Sequence, residues 1–363
     1  YEIYQCDWSS DVCSSDLLQA IPIFCLPPAA VDFLNHAKLR FGPSSDRPRI
    51  EREGGLVRPP FSSDELLGLS DDAVLQIVQH YDDVVGGERG FDFLVGGTNE
   101  VIQVVRDAAC SQPVRFISIL GGRWSSLPSH FKDAILGGVA THLRYRFGNL
   151  SSGTPWVPSE TPTGSELAGG VIRELSRHRL YWRRKRETAE ALEACSWVIE
   201  TEFDVARVAS LIEESSDADD PSDDRSGGGG GLIGIAINST RGTLADAAMV
   251  ITTRLVDSGR DVPELLPELL FSFASDSHAA VRAVLTRRLP VLLQSSPELG
   301  WRVFSRAMAR ADAEMWREAE PCLYYSYHAS FDKVAPFLED VLASGAFETW
   351  GRSEEHTSEL QSH

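Results

Sequence analysis

The chain has 363 residues, with 53 acidic side chains against 34 lysines and arginines and a formal net charge of −19. That balance favours solubility and argues against broad, non-specific binding to nucleic acid or anionic lipid, while leaving room for a local basic patch. The length suffices for two or three globular domains or one long repeat array.

Residues 6–17 (CDWSSDVCSSDL) and 352–362 (RSEEHTSELQS) can be written as the two strands of one piece of DNA. Back-translating the second run, taking its reverse complement and shifting the frame returns the first, residue for residue. That DNA resembles a high-throughput sequencing adapter, which implies that 1–17 and 352–363 are translated primer, to be set aside from fold reasoning as an expression scar would be. The expectation is that 18–351 is an internal window of a longer chain. Its charge is then −13, because Glu2, Asp7, Asp11 and Asp16, and at the far end Glu354, Glu355 and Glu359 against Arg352, belong to the excluded runs. Four lysines (Lys38, Lys132, Lys185, Lys333) accompany 30 arginines, which fits a GC-rich coding genome and points to a bacterial source.

The apolar stretch 17–28 is short and interrupted by Pro22, so neither a membrane span nor a signal peptide is expected, and the segment reads as cytoplasmic. Residues 40–60, with Pro43, Pro48, Gly54, Gly55, Pro59 and Pro60, read as irregular. Helical signals follow over 62–147. Ser70 caps a helix from Ala73 to Tyr81, Val101 to Ala109 form the next, Pro113 opens 114–120, and Pro128 opens a helix carrying Ile135, Leu136, Val139 and Leu143. Ser129-His130-Phe131-Lys132 has the spacing of a Ser/Lys acylating pair but lacks the companion motifs, so it reads as a first-turn serine and a surface lysine.

After a Pro/Ser/Thr/Gly loop at 148–164, long helices are expected over about 165–181 and 187–213. The one strongly basic stretch lies on the first of these and between the two: Arg173, Arg177, Arg179, Arg183, Arg184, Lys185 and Arg186, interleaved with His178, Tyr181 and Trp182. Arginines beside aromatic rings can hold phosphates while the rings stack on bases. They can equally pair with the acidic tract at 213–224, about 30 residues on, folded back over them. Residues 213–231 (EESSDADDPSDDRSGGGGG) are too poor in apolar groups to fold alone and read as a loop or linker.

From 232 to 350 one amphipathic helix follows another. Leu244, Ala248, Ile251 and Leu255 define a helix ending near Gly259, a C-cap candidate. Val262, Leu265, Leu266, Leu269, Leu270 and Phe273 form an i, i+3, i+4, i+7 stripe, and Val281, Val284, Leu285, Leu289 and Leu292 a second one after the break at 275–277, where Asp276 or Ser277 is the expected cap. Ser296-Pro297-Glu298 opens the next helix, and two more run over 313–327 and from Phe331 to Leu342. A pair of helices joined by so short a turn cannot bury both faces alone and needs stacked neighbours. Trp316, Tyr324, Tyr325, Tyr327 and Phe331 are expected to pack between repeats.

Asp276-Ser277-His278-Ala279-Ala280-Val281-Arg282 resembles the inter-helix and second-helix signature of HEAT repeats. Asn238-Ser239-Thr240-Arg241-Gly242 looks like the neighbouring repeat. The resemblance implies that Asp276 and Arg282 tie adjacent repeats together, with Val281, Asn238, Arg241 and Gly242 as further signature positions. The same third of the chain also resembles the helical C-terminal arms of large bacterial STAND-type ATPases, including antiviral sensors, which implies a nucleotide-binding domain outside this window.

Catalytic signals do not accumulate. Gly227 to Gly231 lead into Leu232-Ile233-Gly234 without the lysine of a phosphate loop, and no Gly-x-Ser-x-Gly or His-Glu-x-x-His occurs. Cys25, Cys110, Cys195 and Cys322 lack metal-ligand spacing and read as small buried apolar residues with reduced thiols. No catalytic, cofactor or metal residue is therefore assigned.

The expectation is an all-α, HEAT-like α-solenoid of stacked helical hairpins. It is divided into 18–147 (helical region), 148–212 (loop plus long helices), 213–231 (acidic/Gly loop or linker) and 232–351 (HEAT-like repeats). Its function would be that of a non-catalytic scaffold or sensor for a protein partner, without a membrane. Two alternatives stand beside it: nucleic-acid binding through Arg179, Arg183, Arg184, Lys185 and Arg186, and a stand-alone HEAT-like enzyme.

Overall fold

A computed structural model of the chain describes residues 26–41, 57–84, 95–148, 157–221 and 231–344. The excluded terminal runs, Cys25 and most of 40–60 lie outside the described residues. The chain divides into two compact units, Tyr1–Leu56 and Val57–His363. In the first, the described element is α1 (Pro28–Phe41), which starts on a proline where no backbone N–H is needed.

In the second unit the helices begin where side chains satisfy the orphan N–H groups of a first turn. Ser62 and Glu65 form a capping box on α2 (Ser63–Leu67), and Ser70 caps α3 (Asp71–His80). Next come α4 (Thr98–Ser111), α5 (Pro113–Gly122) and α6 (Ser129–Phe147), the last two entered at Pro113 and Pro128. Thr163 and Glu166 box the start of α7 (Gly164–Arg177), and α8 (Arg179–Trp182) is a single turn set off at His178. The expected helix over 187–213 is two helices, α9 (Arg186–Ser196) and α10 (Glu202–Ser215). They break because the Thr201 hydroxyl accepts from Asp204 N at 3.0 Å and starts a new first turn.

Downstream lie α11 (Gly231–Ile237), α12 (Thr240–Asp257), α13 (Leu265–Ala274), α14 (Ala279–Ser295), α15 (Pro297–Met308), α16 (Ala313–Ser326) and α17 (Phe331–Ser344). Gly259 adopts φ +67° just past α12, as a C-terminal cap requires. Pro267 sits in the first turn of α13, where its missing N–H leaves no bond unmade. Neither Asp276 nor Ser277 is the N-cap of α14. The cap is His278, whose Nδ1 accepts from Ala280 N at 3.1 Å, while Asp276 accepts from His278 N one step earlier. At α15 the proline and Glu298 are in place, but the Ser296 hydroxyl makes no cap bond.

These helices form a two-row α-solenoid. One row runs α4, α6, α9, α12, α14, α16, each packed on the next. The second row runs α5, α7, α10, α13, α15, and its helices α5, α7, α10 and α13 each lie between two consecutive members of the first. Phe337 of α17 extends the second row by packing against Trp301 and Phe304 of α15. Both rows continue through α7, α9 and α10 into the helices beyond 231, so 148–212 and 232–344 belong to one array. A single apolar core runs from Leu66 to Val341. Among the described residues the sole β pairing is an isolated bridge between Arg58 and Val95.

The first row starts with a close crossing of α4 and α6. A Cβ on Gly138 would lie 2.3 Å from Arg106 O and 2.7 Å from Ala109 Cβ, so backbone meets backbone there. Gly169 of α7 faces open space. Gly138→Ala should therefore destabilise by about 2 kcal/mol or more through overpacking, whereas Gly169→Ala should stabilise by roughly 0.5–1 kcal/mol through helix propensity. Urea denaturation followed by circular dichroism measures both, and equal shifts in the two variants would contradict the crossing.

Candidate functional site

The turns that lead from each second-row helix to the following first-row helix share one edge of the array, and arginine forks stitch that edge together. Arg282, 5% exposed, donates within its own turn to Asp276 O (2.8 Å) and Ser277 O (3.1 Å). It also reaches the next turn at Ala307 O and Arg310 O, both at 3.1 Å. Arg241 forms a two-pronged pair with the Asp276 carboxylate (2.9 and 3.1 Å) and donates to Ala218 O at 2.7 Å. Asp276, Arg282 and Arg241 thus join successive turns, and Val281 is fully buried beside them.

The other signature positions behave differently. The exposed Asn238 side chain donates to Gly234 O at 2.8 Å, back onto the short helix that precedes it. Gly242 is where α11 presses on α12: a Cβ there would lie 2.3 Å from Ala236 O. Asp220, which sequence reasoning passed over, accepts from Thr240 N at 2.7 Å and helps seat the start of α12.

The basic stretch folds against the acidic tract. Arg179 pairs with Glu214, while Arg183 and Arg184 both pair with Asp217, Arg183 at 2.6 Å, and Arg183 also donates to Glu214 O at 3.0 Å. The Arg184 hydrogen bond, ahead of the charge of Arg183, holds the Asp217 carboxyl at about 2. Lys185 binds both Asp133 oxygens at 2.7 Å, and Arg186 pairs with Glu190 at 2.9 Å and donates to Asn238 O. These cations face carboxylates and carbonyls of their own chain. The described part of the tract is built into the edge, with Ala218 buried, and 222–230 lie outside the described residues.

Lys132 is no surface lysine. It is 9% exposed, its Nζ 4.4 Å from the Trp124 ring and 5.2 Å from that of Tyr181. Trp124 stacks on His178 at 3.6 Å, and Tyr181 donates to Ser129 O and Asp133. Burial, partly opposed by Asp133, lowers the Lys132 ammonium below the ordinary lysine value. Ser129 remains an exposed first-turn residue without a hydrogen bond to Lys132, so the pair is not assembled for acyl transfer. The signal available in the sequence was the aromatic density around 178–182, which invites a cation onto ring faces.

A groove of about 720 Å³ opens on the first row and takes residues from α6, α9, α12 and α14 together with the end of α11. Arg144 donates to Glu193 at 2.6 Å, and Trp197 Nε1 donates to the same carboxylate at 2.8 Å. Arg288 pairs with Asp246 and lies 5.1 Å over the Trp197 ring. Val291 is 46% exposed and Ile237 52% exposed, both on the groove wall. Arg287, exposed at the same wall, forms no ion pair with a described residue.

Tyr324, Tyr325, Tyr327 and Phe331 do not pack between repeats. They are 72%, 66%, 43% and 51% exposed, and Trp316 alone of the expected set is buried. Among the described residues, α17 packs on α16 without burying these side chains. Cys110, Cys195 and Cys322 are free and buried, and burial pushes the Cys110 thiol up to about 12. Among the described residues no His/Cys/Asp/Glu group is arranged to hold a metal, and no helix is long and apolar enough to cross a membrane. Compared with known proteins, the chain matches no family model, no curated protein and no solved structure.

Two outcomes follow from this geometry. Arg241→Ala strands the Asp276 carboxylate, whose side chain is 12% exposed, and should cost about 3 kcal/mol. It should also speed hydrogen exchange over 216–221, whereas Arg184→Ala, at an exposed pair, should leave stability nearly unchanged. The second outcome concerns pH. Burial holds His142 and His178 below the ordinary histidine value of 6.5, so the unfolded chain binds protons more readily and stability falls as pH drops through that range. The urea midpoint should be lower at pH 5.5 than at 7.5, with the difference reduced in the His142→Asn/His178→Gln double variant.

Proposed function

We propose that this chain is a non-catalytic helical-repeat scaffold whose first-row groove holds a segment of a protein partner that is acidic and carries apolar side chains. The observation that carries this reading is the groove itself. Successive repeats line it with an apolar wall (Trp197, Val284, Val291, Ile237) beside the exposed Arg287, with Arg144 and Arg288 held in place by Glu193 and Asp246 of the same groove. Tryptophan and arginine concentrate binding energy at protein interfaces because they bury large area and bond in fixed geometry. Arginine clusters also recognise acidic motifs through paired N–H donors.

A solenoid supports this role mechanically. Each repeat contributes a few side chains to one continuous surface, so affinity grows by summing modest contacts along the array. On the resemblance noted for 232–351, the groove would be the sensing surface in the helical arm of a bacterial STAND-type ATPase. Binding of nucleic acid through Arg179–Arg186 has less support, because those cations already face Glu214, Asp217, Asp133 and Glu190.

Selection from a random peptide display library against the whole chain tests the proposal. The expected result is enrichment of peptides with Asp or Glu flanking Leu, Ile or Phe, whose binding weakens tenfold or more in Arg287→Glu and in Val291→Asp. Peptides that bind these variants as tightly as the unaltered chain, or no enrichment at all, would overturn it.

A further inference from the structure

A second cavity, of about 880 Å³, lies on the other row between α13, α15 and α17. Arg302 and Arg306 occupy positions i and i+4 of α15, so they share one helix face, where like charges repel. Both guanidinium groups rest on the ring of Phe271 in α13, 4.6 and 5.1 Å from its centroid. Lys333 of α17 lines the same cavity from a third helix. All three side chains are exposed, and none forms an ion pair with a described residue. Glu298 also lines the cavity, one turn before Arg302, yet makes no ion pair with it.

The arrangement is unusual for this chain, in which many basic side chains, including Arg115, Arg144, Arg241 and Arg288, sit on carboxylates. Three positive charges against the one carboxylate of Glu298 leave the lining net positive and raise the local potential, and the Phe271 ring keeps two of the forks from swinging apart into solvent. Beside Glu298 and Ser305, the wall holds an apolar face on which Trp301 and Phe337 lie nearly parallel, with 9° between ring planes. The volume falls within the range of small-molecule sites and far exceeds what one inorganic anion fills.

From these observations we infer that the cavity binds a phosphate monoester attached to a planar apolar body. The phosphate would take N–H donors from Arg302 and Arg306 and the charge of Lys333, and the apolar body would lie along Trp301 and Phe337. A phosphate monoester carries about −1.5 to −2 charge at neutral pH, which suits three cations better than a single carboxylate does. Paired guanidinium groups also match the geometry of its oxygens. This site is independent of the first-row groove and stands whether or not that groove binds a peptide.

Titration of the whole chain with phenyl phosphate, read by calorimetry and by chemical shifts of the indole N–H groups, tests the inference. Phenyl phosphate should bind saturably and at least tenfold more tightly than inorganic phosphate, with affinity falling as salt rises. Arg302→Ala and Arg306→Ala should each weaken binding tenfold or more while circular dichroism stays unchanged. Arg302→Gln serves the same purpose should the alanine variant lose its fold. Arg173→Ala, an exposed arginine on α7, should have no effect. Absence of saturable binding, equal binding of inorganic phosphate, or equal loss in Arg173→Ala would each overturn the assignment.

Discussion

Buried arginine forks that reach from one turn to the backbone of the next are the interaction on which the rest of this array depends. The carbonyl groups at the ends of the second-row helices have no partner within their own helices. Along the shared edge they receive one: Arg282 serves Ala307 and Arg310, and Arg241 serves Ala218. Packing of alanine and leucine faces is tolerant of small slides, whereas a planar donor fork accepts its oxygens only in one register. Asp276 completes the edge by accepting from Arg241 and from His278 N at once.

That edge also decides which charges remain for other purposes. Arg179, Arg183, Arg184 and Lys185 sit at its central turns and are matched to Glu214, Asp217 and Asp133. The cations that form no ion pair with a described residue include Arg287 on the first row and Arg302, Arg306 and Lys333 on the second. They fall on two different surfaces, one spanning several repeats of the first row and one lined by three helices of the second. The first shape suits a segment of chain and the second a compact ligand.

Much of the helical layout was legible along the chain because caps and stripes are local. Ser70, Pro113, Pro128 and the stripe from Leu265 to Phe273 each state a boundary or a buried face within a few residues. The break between α9 and α10 was legible too, in Thr201 and Asp204, but the apolar run across Val198 and Ile199 masked it by continuing the helical pattern. Lys132 and the tyrosines failed for a different reason. Whether a long amphipathic side chain is covered depends on which neighbour crosses above it. Trp124 and Tyr181 cover Lys132, whereas Tyr324 and Tyr325 stay exposed among the described residues.

By itself the sequence determined the all-helical class and the positions of most helix starts, since each rests on contacts within about one helical turn. Tertiary structure alone decided the partners. Arg183 meets Asp217 and Arg241 meets Asp276 across more than thirty residues, and the two arginines of α15 share a cavity with Lys333 only because α17 lies beside α15. Charge pairing has no period along a chain. Its outcome is set by which helix ends the stacking of the two rows brings to the same edge.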